Sequence, residues 1–587
     1  MQVIFQNPFT FFAKKAIIKK SASPIPSLEA RLFWTRLLYT VLNSDISLVI
    51  EKRMHNAYAF LSGEVMITVK DLTDSYKKLK DKEVSLSGFI KLSRHSGSIC
   101  FISLSDGTSF KPVQIVIEEG KIDKSTSTGA DKQASKKTNK GADTGADKTS
   151  QSNLSFADIA KLGGGSAIRV SGKLILTPKN KQPFEIIAHS VQLIGASPEH
   201  YPLQKKRHSV EFLREIAHLR PRTNLFSAVF KVRSVASFAL HKYFNERNYV
   251  YVNTPIITTS DCEGAGELFT VTTLPVASEQ RTANSEQGAE APNSTTKKSH
   301  PSSLIPHPSF EKDFFKEHAY LTVSGQLQVE AYAYAFSKVY TFGPTFRAEN
   351  SNTPRHAAEF WMLEPEVAFC ELPQIMDIAE DMLKYTIAYV LENAKDELEF
   401  LDEFVEKGLL DRLNKILKQN FVRLPYTEAV ALLQDTAKNK KAKFENKIEW
   451  GDDLATEHEK FLTAHFEKPV FVTDWPASIK PFYMKVSANP SGSPNSVVRN
   501  FDLLVNLAGE LIGGSQREDC YETLKQRMEQ AGVCTISSKW YLDLREYGSV
   551  PTSGFGIGFE RLIMYLTGVQ NIRDVLPFPR TPGNAKY

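Results

Sequence analysis

One stretch narrows the possible folds of this 587-residue chain more than any other. It is FGPTFRAENSNTPRHAAEFWMLEPE, residues 342 to 366, in which two strand-like arms flank a polar loop of Asn, Thr and Pro. The pattern predicts an antiparallel hairpin with a long connection. Side chains on a strand alternate faces, so Arg347 and Glu349 share one face of the first arm, and Phe360, Glu364 and Glu366 share one face of the second. A guanidinium able to grip a phosphate, carboxylates able to accept from an amine and a ring able to stack on a base then gather on one surface. The competing explanation is a ladder of surface ion pairs, which implies no ligand.

Two further stretches weaken that explanation. In SGFGIGFERLIMYLT, residues 553 to 567, Gly554, Gly556 and Gly558 alternate along a strand that runs into a helix, with Arg561 in its first turn. Amide groups at such a helix start, together with Arg561, would hold an anion, although tight packing alone explains most alternating glycines. In FDLLVNLAGELIGGSQRE, residues 501 to 518, Asp502 and Glu510 bracket an apolar strand pair ahead of a glycine turn. Paired carboxylates near phosphate-binding arginines suit Mg²⁺, which takes one or two protein carboxylates plus phosphate oxygens. Neither GxxxxGK[ST] nor HExxH occurs in the chain.

Around these stretches the chain reads as a small all-β segment followed by a large α+β domain. From 66 to 198 five β-rich runs alternate with turn signals, the pattern of an OB-type barrel whose face binds single-stranded nucleic acid. A hinge follows over 199–223. From Asn224 to Asn248 the residues Leu225, Val229, Val232, Ala236, Leu240 and Tyr243 recur at helical spacing, and the strand that follows stops before Pro255. Residues 371 to 420 read as a second helical block. Three segments, 121–152, 276–309 and 488–499, lack the apolar density to offset their ordering entropy and read as loop insertions.

Composition excludes several classes. With 42% hydrophobic and 24% charged residues the chain is neither collagen-like, coiled-coil nor wholly disordered, and no run reaches the ~18 apolar residues of a bilayer span. A net charge of +5 permits a polyanionic partner without requiring one. Five scattered cysteines with no CxxC pair argue against a disulfide framework or structural zinc and fit a reducing, cytoplasmic compartment. Residues 1–65 read as an N-terminal extension. Its first 28 residues carry four lysines and no acid, which suits either a mitochondrial or plastid targeting segment or an upstream start before Met54 or Met66.

The hairpin resembles motif 2 of the class II aminoacyl-tRNA synthetases, the glycine strand with Arg561 resembles motif 3, and the Leu225-to-Pro255 helix and strand resemble motif 1. YLTVSGQLQVEAYA, GELIGGSQRE and the C-terminal GFERLIMYLTGVQNIRDVLPFPRTPGNAKY are similar almost word for word to the bacterial-type asparaginyl-tRNA synthetase family, from about residue 66 to the end. The resemblance implies an OB-fold anticodon-binding domain and, over 224–587, a class II catalytic domain with an antiparallel sheet flanked by helices. It implies a homodimer joined through motif 1, and a reaction in which asparagine and ATP give an adenylate before transfer to tRNA(Asn). Arg347 would hold the α-phosphate and Arg561 the γ-phosphate. Phe360 would stack on adenine with Glu349 near its amine, His356 and Gly558 would also touch ATP, and Asp502 and Glu510 would bind Mg²⁺. Catalysis would then rest on fixed cations meeting the charge of in-line attack on the α-phosphate, with Arg347, Glu349 and Arg561 as the catalytic groups.

Substrate choice admits a physical argument. A buried carboxylate without a partner costs several kcal/mol, so an aspartate site should supply an extra cation. In the aspartyl relatives a lysine does so; here Val329, in Ser324-Gly325-Gln326-Leu327-Gln328-Val329, stands at its place. Arg517 would then meet the carbonyl oxygen of the substrate carboxamide and Glu364 its NH₂, with Glu263, Ser324 and Gln326 around the α-amino end. In the barrel, Phe101 would stack on an anticodon base, with Arg94 and Gln114 as polar readers; the alternative is that Phe101 is core. An aspartyl ligase and a catalytically dead relative that keeps the barrel as an RNA-binding module are the competing functions. The chain departs from the family at Asn248-Tyr249, where Gly-Phe is usual, at Thr552 in place of His, and at Asn506-Leu507-Ala508 in place of a Pro-Gly turn.

Overall fold

The structure is a computed structural model, and it describes residues 67–122, 153–180, 182–259, 267–274, 310–439, 442–487, 496–533, 535 and 538–587. The N-terminal extension, nearly all of the 121–152 and 276–309 insertions, and Glu263 lie outside the described residues. Two units are distinguished, residues 1–205 and 206–587.

In the first unit the β-rich runs become β1 (Glu83–Ser96), β2 (Ile99–Ser105), β3 (Val113–Glu118), β4 (Ala167–Leu176) and β5 (Phe184–Gly195), closed into a barrel in the order β1-β2-β3-β5-β4. Period-two alternation decides which side chains go inside. On β2, Cys100, Ile102 and Leu104 point into a core shared with Ile115, Ile117 and Val170, while Phe101 points out and is 38% exposed. Phe101 is therefore not a core residue.

In the second unit an eight-stranded sheet carries the motifs. Its strands are β6 (Val250–Tyr251), β7 (Lys338–Phe346), β8 (Glu359–Ala368), β9 (Val422–Pro425), β10 (Val470–Thr473), β11 (Asn500–Val505), β12 (Gly509–Gln516) and β13 (Thr552–Gly558), in the spatial order β9-β10-β11-β12-β13-β8-β7-β6. All neighbours are antiparallel except β9/β10 and β7/β6. The expected hairpin is β7–β8, with Thr345 opposite Phe360 and Thr341 opposite Glu364.

The helices cover this sheet with the apolar faces their spacing predicts. Helix α1 (Asn224–Glu246) starts on a Thr223 side-chain cap and buries Val229, Val232, Ala236, Leu240 and Tyr243. It ends at Asn248, whose φ of +62° explains why glycine is usual there: the chain turns in the left-handed region, which Asn tolerates better than most side-chain-bearing residues. Helices α2 (Gln326–Phe336), α3 (Leu372–Asn393), α4 (Lys395–Phe404) and α5 (Leu409–Lys418) follow, the last three making up the expected helical block. Beyond them come α6 (Tyr426–Lys438), α7 (Thr456–Phe466), α8 (Tyr521–Gln530), α9 (Lys539–Glu546) and α10 (Phe559–Thr567).

Two sequence boundaries change. Residues 210–223, inside the span read as a hinge, carry a helix, Val210–Glu215, pinned to the second unit by Arg214, which donates to both Asp574 carboxylate oxygens at 2.8 and 2.6 Å. The insertion read over 488–499 also ends early. Val497 and Val498 are fully buried and pair as a short strand with Val486–Ser487, because two adjacent β-branched residues have more to gain from packing than from solvent.

Candidate active site

The sequence-predicted nucleotide residues converge on one open cleft. Arg347, Glu349, His356, Phe360, Glu510, Gly558 and Arg561 all line it. The hairpin brings the first four together. Arg347 follows the last residue of β7 and its amide donates to the Ala358 carbonyl at 3.0 Å, which closes the loop and sets its guanidinium 5.5 Å from the Phe360 ring centre. His356 is fixed through Nδ1 by the hydroxyls of Thr353 at 2.5 Å and Ser351 at 3.1 Å. Burial and the nearby Arg561 push its pKa below the usual value, so the imidazole is neutral at pH 7.

Across the cleft, Gly558 precedes α10, whose first turn carries Arg561. The Arg561 Nη1 donates to the Glu510 carbonyl at 2.8 Å and lies 3.7 Å from the Glu510 carboxylate. The alternating glycines have a packing cause as well: a side chain at Gly554 would collide with the Glu366 carboxylate, and one at Gly556 would meet Met362 at 2.6 Å. Without those glycines, β13 could not lie against the face of β8 that holds Phe360, Met362, Glu364 and Glu366.

Asp502 and Glu510 also meet. Asp502 Oδ1 and Glu510 Oε1 both lie over Gly513, 3.6 and 3.0 Å from where a Cβ would be. Burial, reinforced by Glu510, pushes Asp502 up to about 6 in spite of Lys480, which donates to Asp502 Oδ2 at 2.6 Å. Among the described residues no group of three His, Cys, Asp or Glu could hold a metal ion. Two carboxylates match the one or two that an ion such as Mg²⁺ takes from a protein, the rest of its ligands being phosphate oxygens and water.

Farther along the same face of β8 lies a drier set. Glu364, 4% exposed, accepts from the Ser324 hydroxyl and, at 3.0 Å, from the Gly325 amide; burial raises its pKa. Arg517 grips Glu366 with two N–H groups, Nε at 3.1 Å, and donates from Nη1 to Ser515 at 2.6 Å. All three guanidinium nitrogens are so engaged. Burial pushes Glu366 up to about 7 against the pull of Arg517, whose own ionisation the pair reinforces. The Gln326 amide nitrogen is buried with no hydrogen-bond partner among the described residues. Val329 is fully buried with Val252, Ala333, Val339 and Ala368, so the place of the family lysine is an apolar contact.

Several participants escaped sequence reasoning. Arg355 lies on the hairpin loop beside His356; it donates to the Leu507 carbonyl at 3.3 Å and pairs with Glu459 of α7 at 3.7 Å. Glu560, buried under the cleft, accepts from Arg233 of α1 at 2.7 Å and from the Trp361 amide at 2.9 Å, joining all three motifs. Arg355 was findable from its neighbour in the loop. Glu459, Lys480 and Glu560 carried no local signal, since only the sheet brings them in.

On the barrel, Arg94 of β1 lies opposite Phe101 of β2, and Gln114 of β3 lies opposite Ser103, two residues along the same outer face. Gln114 Nε2 donates to Glu185 at 3.2 Å.

The family model of class II tRNA synthetases (D, K and N) matches residues 209–280 and 292–582. The chain belongs to this family of class II tRNA synthetases. Within it, the chain is 49% identical over 522 residues to an asparagine–tRNA ligase of Alkaliphilus oremlandii, covering 89% of this chain and 99% of that one. It is 48% identical, with the same coverage, to an asparagine–tRNA ligase of Clostridium tetani. Among solved structures it is similar to the asparaginyl-tRNA synthetase of Pyrococcus horikoshii complexed with asparaginyl-adenylate, at 30% identity and a TM-score of 0.69, covering 89% of this chain and 99% of that one. Both the OB-fold barrel and the class II catalytic fold are as the motifs implied.

Proposed function

We propose that this chain is an asparagine–tRNA ligase, which joins L-asparagine to ATP as asparaginyl-adenylate, releasing pyrophosphate, and then transfers the asparaginyl group to the 3′ end of tRNA(Asn). The observation that carries the choice of amino acid is the pocket beside the nucleotide cleft. There Arg517 is already paired with the Glu366 carboxyl group, Glu364 is a second buried carboxyl, and Val329 supplies none of the cation an aspartate would need. A neutral carboxamide can accept from Arg517 and donate to Glu364, while a carboxylate in the same place meets repulsion from Glu364. Ser324 and Gln326 stand beside Glu364, on the side proposed for the α-amino end, and Glu263 completes the proposed set.

In the first step Arg347 holds the α-phosphate and Arg561 the γ-phosphate, Phe360 stacks on adenine and Glu349 accepts from its amine, with His356 and Gly558 against the nucleotide. These cations and amides are fixed before substrate arrives, so they meet the charge that develops at the α-phosphate without reorganising. Asp502 and Glu510 would hold Mg²⁺, which neutralises phosphate charge when bound. Phe101, Arg94 and Gln114 read the anticodon, Phe101 by stacking.

A homodimer is part of the proposal. It is supported by the two-residue edge strand β6 and by Phe238 and Tyr251, 71% and 43% exposed, beside an apolar groove between α1 and Trp361. Sedimentation should give twice 65.8 kDa, and a monomer at micromolar concentration would defeat this element. The bacterial relatives support a cytoplasmic setting, and among the described residues no helix is long and apolar enough to cross a membrane. Amino-acid-dependent ATP–pyrophosphate exchange tests the whole: asparagine should support it at least about 100-fold better than aspartate, and equal rates would overturn the assignment.

A further inference from the structure

Behind the asparagine pocket lies a second buried ion pair that the mechanism above does not use. Glu330 of α2 is fully buried; it accepts from Arg545 Nη2 at 2.6 Å on one oxygen and from the Tyr541 hydroxyl at 2.6 Å on the other. Burying such a pair is expensive, and an apolar pair of similar volume would generally stabilise a fold as well or better, so stability alone is a poor reason for it. Its position suggests another. Glu330 sits four residues after Gln326, on the same face of α2, and Arg545 Nε donates at 2.8 Å to the carbonyl of Glu518, the residue that follows Arg517. The pair thus ties the start of α2, proposed for the α-amino end of the substrate, to the backbone at Arg517, proposed for its side-chain end. It also places charge beside Arg517: Glu330 acts electrostatically on both Arg517 and Glu366.

We propose that the two charges of the Glu330–Arg545 pair set in opposite directions how strongly the asparagine pocket excludes aspartate, the Glu330 carboxylate disfavouring a second acid and the Arg545 guanidinium holding Glu330 in place and offsetting it. The carboxyl groups of Glu364, Glu366 and Glu330 and the guanidiniums of Arg517 and Arg545 are all buried there. A neutral substrate leaves the balance of these groups alone, whereas aspartate adds a negative charge to it. Neutralising Glu330 makes that charge easier to admit; neutralising Arg545 makes it harder. The proposal rests on the reading of Arg517 and Glu364 as partners of the substrate side chain.

The test is pyrophosphate exchange with asparagine and with aspartate, in full-length wild type, Glu330→Gln, Arg545→Gln and the double variant, each checked by thermal melting. At Glu330, Gln keeps the shape and hydrogen-bonding capacity and removes only charge. In Glu330→Gln the preference for asparagine should fall about tenfold, mainly through a lower KM for aspartate, with asparagine exchange within about threefold of wild type. In Arg545→Gln the preference should rise, and in the double variant it should return close to the wild-type ratio. A ratio unchanged in both single variants, or one that moves the same way in both, overturns the proposal, because a merely structural role lowers both substrates together. If one single variant does not fold, the sign of the other and the return in the double variant still decide. Arg517→Ala separates the two readings: it should abolish exchange with asparagine, and if exchange persists the underlying pocket assignment fails, whatever the Glu330 variants do.

Discussion

The proposed nucleotide cleft and the proposed asparagine pocket share β8 and β13 but manage charge differently. The cleft keeps its ionic side chains at a partly open surface, with Arg561 about 30% and Glu510 about 43% exposed. The asparagine side buries its charges and neutralises nearly all of them internally, Arg517 against Glu366 and Arg545 against Glu330, with all four side chains at most 3% exposed. The difference follows from the ligands. Polyphosphate brings several negative charges and its own counter-ions, so cations that wait in water are suitable partners. A carboxamide brings no charge and is told from a carboxylate only where solvent cannot screen the difference.

That contrast can be broken by experiment. Removing a cleft cation should cost activity and little else: Arg347→Ala should lower pyrophosphate exchange by about 10³ or more while the melting temperature stays within about 2 °C. A large loss of stability would show that the cleft is structural too. Breaking the buried pair should cost both. Glu366→Ala leaves Arg517 buried and unmatched, and urea unfolding should show about 3–5 kcal/mol of destabilisation together with lost exchange. A change under 1 kcal/mol would mean that the pocket admits water.

The edge of the cleft beside Arg355 has its own pH signature. Burial, with Glu510 beside it, pushes Glu459 up to about 7 from an ordinary value of 4.5. Between those values the folded state holds a proton that the unfolded state has released, so stability falls as pH rises from about 4.5 to about 7 and levels off above. Without Mg²⁺, Glu459→Gln should flatten that slope and gain on the order of 2 kcal/mol at pH 8; an unaltered slope would assign the titration elsewhere. On the barrel, Phe101→Ala should weaken tRNA(Asn) by about 1–3 kcal/mol, read as a higher KM for tRNA in aminoacylation, and leave pyrophosphate exchange unchanged. The smallest effect concerns the turn before Glu510. Leu507 has φ +72°, where a branched side chain is strained, so Leu507→Gly should stabilise by up to about 1 kcal/mol in thermal melts.

Much of this was legible in the chain itself. The hairpin, the glycine strand and α1 follow from period-two and helical spacing within a few dozen residues, and the cleft was foreseen because its arginines and Phe360 ride on those elements. The departures from the family also became readable once the backbone was seen: Asn248 and Leu507 both occupy left-handed positions where glycine costs least. Val497 and Val498 were misread as loop because two residues are too few to show a period.

Sequence by itself determined the element types, the face each strand presents and the cations gathered in the cleft, since each depends on neighbours along the chain. Only the tertiary structure decided which charges cancel. Arg517 finds Glu366 across 151 residues and Arg545 finds Glu330 across 215, through a sheet in which β8 lies beside β13 and not beside its successors in the chain. Burial at those meetings, which no local pattern encodes, turns ordinary carboxylates and guanidiniums into a pocket that can tell an amide from an acid.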